Sequence, residues 1–310
     1  MVASLQHPVP TLSDGGNMRV FLTGATGFIG SAVVLELIEA GHQVVGMTRS
    51  DEGASRLRAA GAQAHRGALE DTESLKRGAS SADAVIHCAF DDFSDFVASC
   101  EKDRRAIEAI GSVLAGSERP MIVTSVIAAG LTNPGDLAKE DVVSTKFTGP
   151  RVSEAAGREL ADMSVNVSFV RLPQVHTIVK QGLVTWLVGL LKAKGVSAYA
   201  GDGSNRWPAV HLSDLAPLYV LALERQVRGA CYNAVAEEGI ALRDIAETIG
   251  RAYGVPTVSL PPEDAAGHFG WLSTFVTLDM PASSALTREL LSWEPTGPGL
   301  LSDLQTPQPS

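Results

Sequence analysis

MRVFLTG (residues 18–24) is an apolar run that ends on glycine, and SAVVLELIEAG after it repeats apolar positions at helical spacing up to Gly41. The alternation continues. HQVVGMTR (42–49) predicts a second strand, SRLRAAG (55–61) a helix, and ADAVIHCAF (82–90) another buried strand. A long helix is expected over roughly 94 to 115, then PMIVTSVIA (120–128) as a strand, a helix over 152–163 and the strand VNVSFVRLP (165–173). Strands separated by helices predict an α/β fold, a doubly wound parallel sheet with helices on both faces.

After Pro173 the rhythm changes. Strands are fewer, loops are longer, and Trp186, Trp207, Trp271 and Trp293 all fall here. The pattern predicts a nucleotide-binding domain over 18–172 and a smaller lobe, mainly substrate-binding, over 173–304. Residues 1–17, with two Pro and no long apolar run, read as a disordered extension, and 305–310 as a disordered tail. In open α/β sheets, ligands bind at the strand C-termini, where the second lobe is expected to lie.

Composition narrows the function. The 310 residues are 45% hydrophobic and 19% charged, enough for a sizeable core. Aromatics are only 5%, so Ala, Val, Leu and Ile carry the apolar content, as in helix-covered parallel sheets. A net charge of −10 argues against a nucleic-acid or anionic-membrane partner, and no apolar stretch approaches the roughly 18 residues of a membrane span. Three unevenly spaced cysteines, Cys88, Cys100 and Cys231, predict a reduced cytoplasmic protein with no disulfide framework and no metal site.

The string TGATGFIG, between a strand and a helix, carries Gly24, Gly27 and Gly30. Gly24 permits the tight turn, Gly27 lets the backbone approach a pyrophosphate, and Gly30 lets the helix pack on the sheet. With Thr26, Phe28 and Ile29 they form the expected phosphate loop of a Rossmann fold. A carboxylate at the end of the second strand would select NAD, whereas Arg accommodates a 2′-phosphate. Here Thr48 holds the acid's place and Arg49 and Ser50 follow, so NADP(H) is the expected cofactor. Asp51 falls two or three residues late for the NAD-type acid.

The spacing TGxxGxxG resembles the extended short-chain dehydrogenase/reductases, of the NAD-dependent epimerase/dehydratase type. GDGSNRWPAVHLSDLA (201–216) and SSALTRELLSWEPTGPGLLSDL (283–304) are similar to that family's later motifs, so the likeness spans 18 to about 304. The resemblance implies that Ala89 and Phe90 flank the cofactor, that Leu69 in GALED lies by adenine, and that Ala68 replaces a usual Asp. It also implies that PMIVTSVIAAG ends in Thr124 and a catalytic Ser125, and that Leu172, Pro173 and Val175 border the nicotinamide.

One family feature is missing. Tyr199, Tyr219, Tyr232 and Tyr253 are followed four residues later by Gly203, Leu223, Ala236 and Thr257, so no Tyr-x-x-x-Lys exists. The resemblance places Pro150 and Glu154 in those slots. In the usual mechanism the Tyr moves the proton at a carbonyl oxygen, and the Lys lowers its pKa and binds the ribose. His176, able to titrate near neutrality, is one candidate replacement and otherwise a structural histidine. Arg151 or Lys146 can supply a cation or lie on the surface; Glu154 reads as a helix-face carboxylate; His211 and Asp214 pin a strand to a helix. Trp207, Trp271, His268, Phe269 and Phe275 form either core or an apolar substrate pocket. Arg206 is one place away from the family's sugar-nucleotide phosphate Arg.

The expected activity is therefore an NADP(H)-dependent oxidoreductase acting on a small to medium apolar carbonyl, enone or imine compound, as monomer or homodimer. An isomerase or cyclase that retains the cofactor, and a redox sensor, are the alternatives.

Overall fold

The computed structural model describes residues 16–91, 95–144 and 151–306. Most of the predicted extension, part of the tail, Pro150 and Lys146 lie outside these residues. The first six strands are β1 (Arg19–Thr23), β2 (Gln43–Thr48), β3 (Gln63–Arg66), β4 (Ala84–His87), β5 (Met121–Val126) and β6 (Val167–Leu172), and five of them follow the predicted runs in order. Only β3 was not anticipated. It is the edge strand, its sequence QAHR carries no apolar run, and none of its residues is fully buried.

The second lobe holds β7 (Gln174–His176), β8 (Ser197–Ala200) and β9 (Arg206–His211); β10 (Cys231–Asn233) then returns to the first sheet. The result is a seven-stranded sheet, β10-β6-β5-β4-β1-β2-β3, parallel throughout. Strand order reverses between β1 and β4, which opens a crevice at their C-terminal ends.

Side-chain alternation assigns the two faces. Val20 and Leu22 of β1 pack with Val33, Val34 and Leu37 of α1 (Phe28–Glu39). Phe21 points the other way, toward Leu75 of α3 (Thr72–Ser80), reached after α2 (Asp51–Ala59), and Ile107 of α4 (Phe96–Leu114). The Asp95 side chain caps α4 by accepting from the Ala98 N–H at 3.1 Å, which sets its start within the predicted range. Helix α5 (Ser153–Asp162) covers the same face and agrees with the predicted 152–163.

The second core gathers Val184, Leu187 and Leu191 of α6 (Val184–Lys194) with Trp207, Leu242, Ile245 and Phe269. Around it lie the sheet β11-β9-β7, with β11 (Glu237–Ala241), and the parallel pair β12 (Thr257–Leu260) and β8. The two parts interleave. Helix α7 (Leu212–Arg225) shares the α1 core through Tyr219 and Leu223, so α7 and β10 leave the 173–304 segment for the seven-stranded sheet and its core.

Candidate active site

The glycine loop is shaped for close approach. Gly24 has φ +72°, and a Cβ there would lie 2.8 Å from the Ala89 Cα, so the loop sits directly on the end of β4. A Cβ on Gly30 would stand 2.1 Å from the Gly24 carbonyl oxygen, which explains why α1 can start so near the turn. Gly27 donates its N–H to that carbonyl at 2.9 Å and is itself exposed. Helix α1 has no side-chain cap and no acid in its first turn, so its first N–H groups face the crevice without competition for an anion. Thr26, Phe28 and Ile29 are half-buried around it, and Lys180 Nζ lies 5.4 Å from the Phe28 ring centroid. This loop fits a dinucleotide pyrophosphate.

At the end of β2, Thr48 is buried and Arg49 exposed. Ser50 caps α2, its Oγ accepting from the Gly53 N–H at 3.0 Å while its own hydrogen stays available. Asp51 is exposed and lies 3.5 Å from the Arg66 guanidinium. Leu69 is buried beside this edge.

On the opposite side of the crevice, buried polar groups form a chain. Thr23 Oγ1 accepts from the Cys88 and Ala89 N–H groups, each at 3.2 Å, and lies 3.0 Å from His87 Nδ1. His87 Nε2 is 3.0 Å from Asp103 Oδ1. Asp103 Oδ2 accepts from the Ser153 hydroxyl at 2.5 Å, and Ser153 Oγ accepts from Arg151 Nε at 2.6 Å. The Arg151 guanidinium carbon stands 3.8 Å from the centroid of the Phe90 ring. Its Nη amines make no hydrogen bond to a described residue.

Charge follows from this packing. Burial pushes the Asp103 carboxyl up, but His87, Arg151 and Ser153 outweigh it and hold Asp103 below its ordinary value. Burial draws the Arg151 guanidinium down while Asp103 opposes the shift, and guanidinium remains protonated in proteins. Burial raises the Tyr219 phenol well above its ordinary value. Tyr219 OH sits 2.8 Å from Thr124 Oγ1, beneath the ends of β4 and β5, as a neutral hydroxyl.

Ser125 is placed beside this cluster but faces a second one. Its hydroxyl donates to Glu154 Oε2 at 3.2 Å. Glu154 is a buried carboxylate rather than a helix-face one. Arg171 reaches it with Nε at 2.8 Å and Nη2 at 2.6 Å, and Arg158 Nη2 adds a bond of 2.7 Å.

The model of the NAD dependent epimerase/dehydratase family matches residues 20–109, the segment holding the glycine loop and His87. The uncharacterized protein C2A9.02 of Schizosaccharomyces pombe is 48% identical, covering 93% of this chain and 98% of its own. The uncharacterized protein YLL056C of Saccharomyces cerevisiae is 43% identical with the same coverage. In fold, the chain is similar to the UDP-glucose 4-epimerase of Thermus thermophilus in complex with NAD, with a TM-score of 0.69 and 20% identity over 93% of this chain and 97% of that one. This protein belongs to the NAD-dependent epimerase/dehydratase family.

Other residues singled out in this family member fall elsewhere. His176 is fully buried, with Nδ1 2.7 Å from Asp303 Oδ2 and its ring centroid 5.4 Å from that of His211. Burial lowers its pKa despite Asp303. It joins the C-terminal segment to β7; Leu172 and Pro173 before it are partly exposed and Val175 is buried. Asp214 accepts from the Thr296 and Gly297 N–H groups, pinning the last loop to α7. Arg206 is held by Asp279 through Nε at 3.1 Å and Nη2 at 2.9 Å. The predicted aromatic group divides: Trp207 and Phe269 are core, whereas Trp271 is 44% exposed and meets Trp186, 48% exposed, edge-on at 5.6 Å. Among the described residues no helix is long and apolar enough to cross a membrane.

His87, Asp103, Ser153 and Tyr219 were not foreseen as a group. Asp103 alone carried a signal, since a carboxylate on the same α4 stripe as Cys100, Ala106 and Ile107 needs a buried partner.

Proposed function

We propose that this epimerase/dehydratase-family protein is an NADP(H)-dependent reductase that acts on a small to medium apolar carbonyl or enone, with Arg151 as its electrophilic group. The observation that carries the reading is the Arg151 guanidinium: anchored at Nε, laid over Phe90, with its Nη amines uncommitted to any described residue. The nicotinamide cofactor supplies or removes a hydride when bound. Gly24, Thr26, Gly27, Phe28, Ile29 and Gly30 would hold its pyrophosphate, Arg49 and Ser50 its 2′-phosphate, Leu69 its adenine side, and Ala89, Phe90, Thr124, Leu172, Pro173 and Val175 its nicotinamide side.

A fixed cation stabilises negative charge growing on a substrate oxygen. It is a poor proton donor, so an enone or an activated carbonyl, whose product can take its proton from water, suits it best. An iminium carbon, already positive, would be repelled. Ser125 has its hydrogen committed to Glu154 and acts as a wall of the site rather than as the acid. His176, tied to Asp303 and fully buried, holds the lobe in place in this reading. Arg206 is occupied by Asp279, which argues against a nucleotide-sugar phosphate at that side chain.

Single-turnover mixing of the protein with NADPH and a panel of ketones, enones and imines tests the reading. Loss of reduced cofactor with enones or ketones is expected. Conversion of substrate with no net loss of NADPH would replace it with a non-redox isomerase.

A further inference from the structure

We infer that Asp103 and Ser153 are positioning residues that aim the Arg151 guanidinium, and that Thr23 and His87 fix the direction of every hydrogen bond in the chain that holds them. The inference rests on the role just proposed for Arg151 and adds the residues on which that role depends.

The argument begins at Thr23. Its oxygen accepts two backbone N–H groups, from Cys88 and Ala89, which leaves its hydrogen for His87 Nδ1. His87 must then carry its proton on Nε2, facing Asp103 Oδ1. Asp103, ionised and 1% exposed, only accepts. Its second oxygen takes the Ser153 hydrogen, so the Ser153 lone pairs face Arg151 Nε–H. No bond in this series can reverse without leaving two donors or two acceptors face to face.

The series also closes on itself. Thr23 pins Cys88 and Ala89, the residues just before Phe90, and the Phe90 ring carries the guanidinium. Arg151 is therefore held on its edge by Ser153 and on its face by Phe90, and both supports trace back to Thr23 and Asp103. Asp103 Oδ2 also lies 3.9 Å from Arg151 Nε and balances its charge. A planar guanidinium fixed at Nε and on one face has its two Nη amines aimed, which a lysine ammonium could not reproduce.

Nitrogen-15 NMR of arginine side chains in the full chain saturated with NADP+ tests this. Arg151→Lys identifies the Arg151 Nε–H signal by its loss. Ser153→Ala and Asp103→Asn should each speed solvent exchange of that Nε–H by about ten- to a hundred-fold, the equivalent of losing a hydrogen bond between charged and polar groups. Asn fails because its amide either opposes the His87 Nε2–H or turns toward Ser153 and reverses that hydroxyl. Ser153→Thr, which keeps the hydroxyl, should restore slow exchange. Should Asp103→Asn not fold, the Ser153→Ala and Ser153→Thr pair decides alone. Unchanged exchange in folded Ser153→Ala overturns the inference. Faster exchange with an unaltered rate of NADPH oxidation upholds the positioning and rejects the chemical role of Arg151.

Discussion

Arg171 on β6 grips Glu154 on α5 with two parallel bonds, Nε to Oε2 at 2.8 Å and Nη2 to Oε1 at 2.6 Å, and neither residue reaches solvent appreciably. The same guanidinium donates to the carbonyls of Lys139 and Val142, each at 2.9 Å, so the pair ties the loop after β5 to the sheet. Glu154→Gln would leave Arg171 buried and half-paired. A loss of about 3–5 kcal/mol is expected, read as a lower urea midpoint.

The pair also predicts acid sensitivity. Burial pushes the Glu154 carboxyl up, but Arg171 and Arg158 outweigh it, and the net shift is below the ordinary value of 4.5. A depressed carboxylate contributes its full stability above its unfolded pKa and loses it as pH falls through the folded pKa. Asp103 is depressed in the same direction. The unfolding midpoint of the wild type should therefore fall as pH drops below the ordinary carboxylate range, and fall less steeply in Glu154→Gln.

Removing the Arg151 guanidinium should spare cofactor binding and impair chemistry. Arg151→Gln is expected to lower the single-turnover rate of NADPH oxidation by about two to three powers of ten, the usual effect of deleting one oxyanion donor. A near wild-type rate would transfer the role to another group.

Arg49→Ala should weaken NADPH by about ten- to a hundred-fold, through loss of a charge-assisted bond, and leave NADH almost unchanged. Titration calorimetry with both cofactors measures the difference. Equal affinities in the wild type would show that Arg49 and Ser50 hold no 2′-phosphate.

Two glycines of one loop should fail in different ways. Gly27 is exposed, and a Cβ there meets only the Gly24 oxygen at 3.2 Å, so Gly27→Val should fold while its branches obstruct the pyrophosphate. At Gly30 the Cβ would collide with the Gly24 oxygen at 2.1 Å, so Gly30→Ala should lower the melting temperature itself. Calorimetry with NADPH and a thermal melt separate the two.

The sequence made the sheet legible because most of its strands are apolar runs closed by turn residues. β3 escaped, since an edge strand reading QAHR has nothing apolar to reveal it. The glycine loop was equally plain, and two of its three glycines, Gly24 and Gly30, stand where a Cβ would collide with backbone. The polar chain from Thr23 to Arg151 was not, because its members come from β1, β4, α4 and the start of α5, and only folding brings them together. Glu154 was taken for a surface carboxylate because its partner Arg171 lies 17 residues away on a buried strand, and a charge on a short helix does not declare which way it faces.

The return of α7 and β10 to the first sheet bears on how this architecture can change. Cutting the chain after Pro173 would strip α1 of the helix that shares its core and leave β6 as a bare edge, open to pairing with other molecules. Neither part is a detachable cassette. Grafting a whole second half from a relative would carry β10 and α7 with it, and so would replace part of the first sheet and of the core beneath α1.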